Sequence, residues 1–152
     1  MDETDEHTIY RFFTEIGIIN QLSRSGLERH LPGSMTATQF GILGHLMRRP
    51  EGETPLQLAT AFQVPKTSMT HMITGLVDAG LIEIAPNPKD GRSKIARVTP
   101  MAGPFFGEVT QKLGVDLMPV IQDLGVERFA RVLPDLEKIR SVMDKARDAK
   151  HS

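Results

Sequence analysis

Between Lys66 and Thr74 the chain carries one cation, the hydroxyls of Thr67, Ser68, Thr70 and Thr74, and the imidazole of His71. Hydroxyls of this kind meet bases or phosphates, and an imidazole N–H donates to guanine or to a phosphate oxygen. Lys66 offers a phosphate contact that the positive end of a helix dipole would strengthen. Further along, Asp90, Arg92 and Lys94 fall within a turn-rich, basic stretch. A guanidinium at a loop tip suits a narrow, A·T-rich minor groove, where the negative potential is strongest. Asp90, two residues earlier, is expected to orient the Arg92 guanidinium through a bidentate pair. The chemistry these two clusters share is recognition of double-stranded DNA.

Other chemistries lack their residues. There is no G-x-S-x-G, no Walker loop and no G-x-G-x-x-G. Cysteine is absent, which removes disulfides, thiolate zinc sites, iron–sulfur clusters and cysteine redox switching. No histidines show metal-ligand spacing such as H-x-x-x-H. We therefore expect no catalysis, no metal and no cofactor.

The elements that would hold these clusters can be read from spacing. Ile9, Phe12, Phe13, Ile16, Ile19 and Leu27 recur at helical intervals, and Pro32-Gly33 stops that helix. Thr36-Ala37-Thr38-Gln39 and Thr54-Pro55-Leu56-Gln57 both fit capping boxes. The first opens a helix through Met47, and the second opens a helix of about two turns. After Val64-Pro65, Met69, Met72, Ile73, Leu76 and Val77 form one apolar stripe, with the polar cluster opposite. Gly80 ends this helix. Extended runs over Leu81 to Ala85 and Ile95 to Thr99 are expected to flank a long hairpin tip, Pro86 to Lys94. Two further helices follow, about Phe105 to Leu124 and Glu127 to Ala149, with Pro119 and Pro134 expected to kink or break them. A short helix, a tight turn and a second helix with a polar N-terminal face make a helix-turn-helix, and the basic hairpin adds a wing.

The 152 residues suffice for a hydrophobic core without staples. Net charge is only −1, but its distribution is uneven. Residues 64–99 hold five cations and three acids, a net +2, and four of those cations lie between Lys89 and Arg97. Residues 1–31, with three cations and six acids, carry −3. No apolar run is long enough to span a bilayer, and Met1 to His7 lack the pattern of a signal peptide. The expected location is the cytoplasm, with no membrane partner.

Residues 58–103 resemble the core of the MarR-type winged-helix transcriptional regulators. The likeness rests on Leu58-Ala59, on Thr67-Ser68-Met69-Thr70-His71-Met72-Ile73 and on Leu76-Val77-Asp78-Ala79-Gly80-Leu81-Ile82. It continues through Asn87-Pro88-Lys89-Asp90-Gly91-Arg92-Ser93-Lys94, Val98-Thr99-Pro100 and Gly103. Asp-x-Arg at the wing is its most specific part. The resemblance implies a mainly α fold with a small β-hairpin wing, a single domain over residues 1–152. Residues 36–103 would form the winged helix-turn-helix lobe, and residues 8–31 and 104–150 a helical dimerisation region. It also implies a homodimer on a pseudo-palindromic operator, usually as a repressor, with half-sites about 34–36 Å apart. Thr67, Ser68, Thr70 and His71 would face the major groove, and Asp90, Arg92 and Lys94 would serve the minor groove. Two residues depart from the pattern. His71 stands where many relatives have Arg, and Pro65 where a polar residue usually opens the recognition helix.

Many members of that family release DNA on binding a small, often aromatic anion. The resemblance places the corresponding crevice at Phe12, Ile16, Ile19, Phe40, Leu43, Met47 and Phe105, residues that plain core and interface packing would equally explain. A winged-helix module used for protein contact, with no operator of its own, is the alternative function, and the low net charge is compatible with it.

Overall fold

The computed structural model describes residues 2–150. Met1, His151 and Ser152, the outer ends of the expected 1–152 domain, lie outside the described residues. The element order is α1 (Glu3–Glu28), α2 (Ala37–Met47), α3 (Pro55–Phe62), α4 (Lys66–Asp78), β1 (Ile82–Asn87), β2 (Asp90–Val98), α5 (Ala102–Leu124) and α6 (Val126–Lys150). This is the mainly α class with a hairpin wing that the sequence led us to expect. The chain divides into two compact units, Met1–Leu113 and Gly114–Ser152.

Local side-chain chemistry starts the helices. At α2 the Thr36 hydroxyl accepts from the Gln39 amide N–H at 3.2 Å, and Gln39 Oε1 accepts from the Thr36 N–H at 2.9 Å. Thr54 and Gln57 repeat the box at α3, at 3.2 and 2.8 Å, with Pro55 at the first helical position. Both boxes satisfy amides that a helix start otherwise leaves free. α1 begins earlier than Ile9 because Asp2 and Asp5 cap it reciprocally. Its acidic first turn also complements the helix dipole.

In the first unit, α2, α3 and α4 close on one core with the base of the hairpin. Ile42, Leu43, Leu46, Leu58, Met69, Ile73, Leu76 and Ile82 are its enclosed side chains. A smaller cluster of Leu31, Phe40 and Val109 lies beside it, with Phe40 stacked on Phe106 at 4.5 Å.

The wing differs from the long-tipped hairpin inferred above. β1 and β2 pair antiparallel from Ile82↔Val98 to Pro86↔Lys94 and close at Asn87↔Asp90, with an irregularity between Pro86 and Asn87. Only Pro88 and Lys89 remain in the turn, so Arg92 and Lys94 belong to β2 rather than to a loose tip. Polar side chains tie the short turn, which is why a run rich in turn formers still builds strand. Asn87 Oδ1 accepts from the Lys89 N–H at 3.0 Å, and Asn87 Nδ2 donates to Ser93 Oγ at 2.8 Å.

The base of the wing is held by the segment between α2 and α3. Glu53 and Ala96 exchange both backbone hydrogen bonds, at 3.1 and 2.8 Å. The Glu53 carboxylate is in turn gripped by two α2-side groups, His45 Nε2 at 2.8 Å and Arg49 Nε at 2.7 Å. Gly52 precedes this bridge at φ +81°, and a Cβ there would lie 2.7 Å from the Ala96 carbonyl oxygen. Backbone angle and close approach therefore both demand glycine.

Of the two outcomes expected from sequence at Pro119 and Pro134, a kink or a break, the break does not occur: α5 and α6 run on past them. Both prolines are exposed, as are Val115 and Ala130 four residues before them. The carbonyls that lose an amide partner there are open to water, which removes the penalty of burying them.

Two stability measurements test this packing. Leu58→Ala, at a fully enclosed site, is expected to lower the urea-unfolding free energy by roughly 2–5 kcal/mol. Gly52→Ala is expected to cost roughly 1–3 kcal/mol although Gly52 is only half-buried. A neutral result for Gly52→Ala would show that the wing base is not fixed as described.

Candidate nucleic-acid interface

α4 separates its two chemistries by helical geometry. Met69, Ile73 and Leu76 are buried, with Met72 and Val77 packed at the margin. Lys66, Thr67, Ser68, Thr70, His71 and Thr74 are all exposed. Every residue expected on the reading face is therefore on the solvent side. Pro65 occupies the N-cap and makes no side-chain cap hydrogen bond. The first-turn amides thus have no side-chain cap, and with Lys66 they form an electropositive end suited to an anion.

The threonines have a definite polarity. The Thr70 hydroxyl donates to the Lys66 carbonyl at 2.9 Å, and the Thr74 hydroxyl donates to the Thr70 carbonyl at 2.9 Å. With the proton directed inward, each presents acceptor lone pairs and a methyl group outward. Such a surface accepts from adenine N6 or cytosine N4 and packs against a thymine methyl. His71, like Lys66 and the hydroxyls of Thr67 and Ser68, supplies this face with donors.

On the wing, Arg92 and Lys94 are two residues apart along β2 and share its exposed face. Asp90 does not orient the guanidinium as expected from sequence. Its Oδ1 accepts instead from the Arg92 backbone N–H at 3.0 Å. The carboxylate therefore shapes the turn and leaves the guanidinium to extend outward. The reason is local: two residues apart in a tight turn, an Asp side chain reaches the amide sooner than the far end of an Arg. Ser93 Oγ completes the turn by donating to the Asp90 carbonyl at 3.2 Å. Asn87 and Ser93 were not assigned a role from sequence, although both lie in the turn-rich stretch Pro86 to Lys94. Nearer the wing base, Arg97 is paired across the strands with Glu83 at 2.6 Å.

The residues expected at an effector crevice do not form one group. Leu43 is fully enclosed in the core and Phe40 is nearly so. Phe105 packs edge-on to Phe40 at a centroid distance of 6.3 Å. Met47 is exposed at the end of α2, while Phe12 and Ile19 are exposed on α1 and Ile16 is half-buried there. A cleft of about 520 Å³ opens elsewhere, between Arg24, Thr38 and Gln39 on one side and His71, Thr74 and Asp78 on the other. None of the seven expected crevice residues lines it. Among the described residues no cluster of His, Cys, Asp or Glu could hold a metal ion. Among them, too, no helix is long and apolar enough to cross a membrane.

Comparison with known proteins follows this geometry. Residues 34–93, from the start of α2 to the wing, match the family model described as MarR family. The multiple antibiotic resistance protein MarR of Salmonella typhimurium is 33% identical over 126 residues, covering 82% of this chain and 87% of that protein. Among solved structures, a mutant of Escherichia coli MarR complexed with operator DNA superposes with a TM-score of 0.71 at 27% identity, covering 91% of this chain and 99% of that one. The transcriptional regulator BldR from Sulfolobus solfataricus shares the fold with a TM-score of 0.75 at 23% identity, covering 93% and 99% of the two chains. A polar recognition face, a basic wing and these likenesses agree: the chain belongs to the MarR family and is a winged-helix transcriptional regulator rather than an enzyme.

Proposed function

We propose that this regulator is a cytoplasmic homodimer that binds a pseudo-palindromic operator and represses transcription from it. The observation that carries the reading is that all six polar residues of α4 are exposed, opposite a buried apolar stripe. Thr67, Ser68, Thr70, His71 and Thr74 read the major groove. Lys66 and the α4 N-terminus hold a phosphate. Arg92 and Lys94 follow the adjacent minor groove and its phosphates, and Asp90 keeps the Arg92 backbone in the conformation that presents it. The operator-bound E. coli MarR mutant supports this assignment by its matching fold.

A second copy of the chain is favoured by apolar surface. On α1, Ile9, Phe13, Ile19 and Leu22 are exposed. In the unit Gly114–Ser152, so are Leu117, Met118, Phe129, Leu133 and Leu136. Side chains of this size, left to water in such numbers, mark an association surface. Residues 8–31 and 104–150 are accordingly the proposed dimerisation region, and residues 36–103 the DNA-binding lobe. Two lobes related by a twofold axis require half-sites about one helical turn apart. Release by a small aromatic or anionic molecule completes the proposal. The family resemblance would draw its contacts from among Phe12, Ile16, Ile19, Phe40, Leu43, Met47 and Phe105, which a single chain does not bring together into one group, so the site would require the second copy.

Two substitutions separate the contributions, measured by fluorescence anisotropy on the duplex the protein binds best. Arg92→Ala is expected to weaken binding at least tenfold while the dimer, followed by sedimentation, stays intact. Unchanged affinity would remove the wing from the interface. Lys66→Ala is expected to weaken all duplexes alike and to reduce the salt dependence of log K by about one unit. An altered base preference with an unchanged salt slope would instead make Lys66 a base reader.

A further inference from the structure

The Gln39 side chain does more than cap α2. Its Oε1 accepts from the Thr36 N–H at 2.9 Å, closing the capping box. Its Nε2 donates to the Met72 carbonyl of α4 at 3.2 Å, across 33 residues of sequence. A carbonyl oxygen within a helix already serves the amide four residues on, and its second lone pair is free for such a donor. One planar amide thus joins the N-terminus of α2 to the middle of α4.

The approach requires Gly75. A Cβ built there would lie 2.6 Å from Gln39 Nε2. Glycine inside a helix is about 1 kcal/mol less favourable than alanine, and Gly75 lies at the start of the last turn of the 13-residue α4. The α2–α4 contact is otherwise apolar on the α4 side, made by Met69, Ile73 and Leu76. Apolar contact is non-directional and leaves rotation of a helix about its axis weakly specified. A hydrogen bond weakens steeply when misaligned, so it fixes that rotation. The α4 N-terminus has no side-chain cap to do so. Met72 and Gly75 are also the immediate neighbours of His71 and Thr74.

We infer that Gln39 is a positioning residue for α4, with Gly75 as its seat, and that together they set the angle at which Thr70, His71 and Thr74 face the operator. This rests on α4 being the DNA-reading helix, as proposed above. Gly75→Ala requires only the far end of a flexible side chain to move, and it introduces a better helix former. Gln39→Glu retains an oxygen for the Thr36 N–H, replaces the donor towards Met72 by an acceptor and adds one negative charge, so the affinity comparison is repeated at raised salt, where that charge is screened.

The test compares Gly75→Ala, Gln39→Glu and the double variant for operator affinity by anisotropy and for Tm by calorimetry. Each single variant is expected to bind about tenfold more weakly, the scale of one misplaced specific contact to a base pair. For Gly75→Ala the Tm is expected to equal or exceed that of the unmodified chain. The double variant is expected to bind no more weakly than the weaker single variant, because both changes remove the same contact. Affinity within twofold of the unmodified chain for either single variant would overturn the inference. So would a double variant whose loss is the product of the two, or a Gly75→Ala loss that follows a fall in Tm. Failure of the unmodified chain to prefer any duplex would instead overturn the reading of α4 itself, and this inference with it.

Discussion

Everything in the winged-helix lobe depends on α4 burying its apolar stripe. Met69, Ile73 and Leu76 lie against α2 and α3, and burial of each contributes roughly 1.5–3 kcal/mol. That anchorage lets the exposed side carry hydroxyls, an imidazole and an ammonium, none of which is needed to bury the helix. A recognition surface has to be free of structural duty so that its residues can meet a partner. Here the division is sharp because the apolar positions follow the helical period without a polar interruption. The 520 Å³ cleft beside His71 and Thr74 leaves that side of α4 open to solvent as well.

The wing is subject to the same need for anchorage and meets it differently. A two-stranded hairpin is marginal by itself. Ile82, Ile95 and Ala96 bury its base, and the Glu53–Ala96 bridge gives β2 a second backbone partner. His45 and Arg49 then fix the Glu53 carboxylate from the α2 side. The position of the exposed Arg92 and Lys94 is thereby referred back to α2, the helix that also carries Gln39. Reading helix and wing share one reference element.

Much of this was legible in the sequence wherever the cause is local. The capping boxes at Thr36 and Thr54 and the α4 stripe depend on residues three or four apart, and each is where spacing placed it. α1 starts before Ile9, its first apolar residue, because the Asp2–Asp5 cap and not the apolar period sets its beginning. The strands were read too short because Asp90 to Lys94 are polar and turn-forming, while cross-strand pairing and the Asn87–Ser93 bond decide their conformation. Pro119 and Pro134 were expected to disturb helices that continue past them, since exposure of the freed carbonyls cannot be read from residue type. The Asp90–Arg92 relation was right in its partners and wrong in its atoms. The double use of Gln39 is invisible in sequence, because its second partner is 33 residues away. Type and spacing placed Lys66, Thr67, Thr70, His71 and Thr74 on the face of α4 opposite its apolar stripe, and all five are exposed there.

The central claim is that α4 and the wing, presented twice by a homodimer, read DNA sequence. The most direct measurement is selection of bound duplexes from a random DNA pool, at near-physiological salt, with protein shown by sedimentation to be a folded dimer. Enrichment of a pseudo-palindrome with half-sites about one helical turn apart is the predicted result. A pool that stays random after repeated rounds would contradict it, and would assign the lobe to protein contact rather than to an operator.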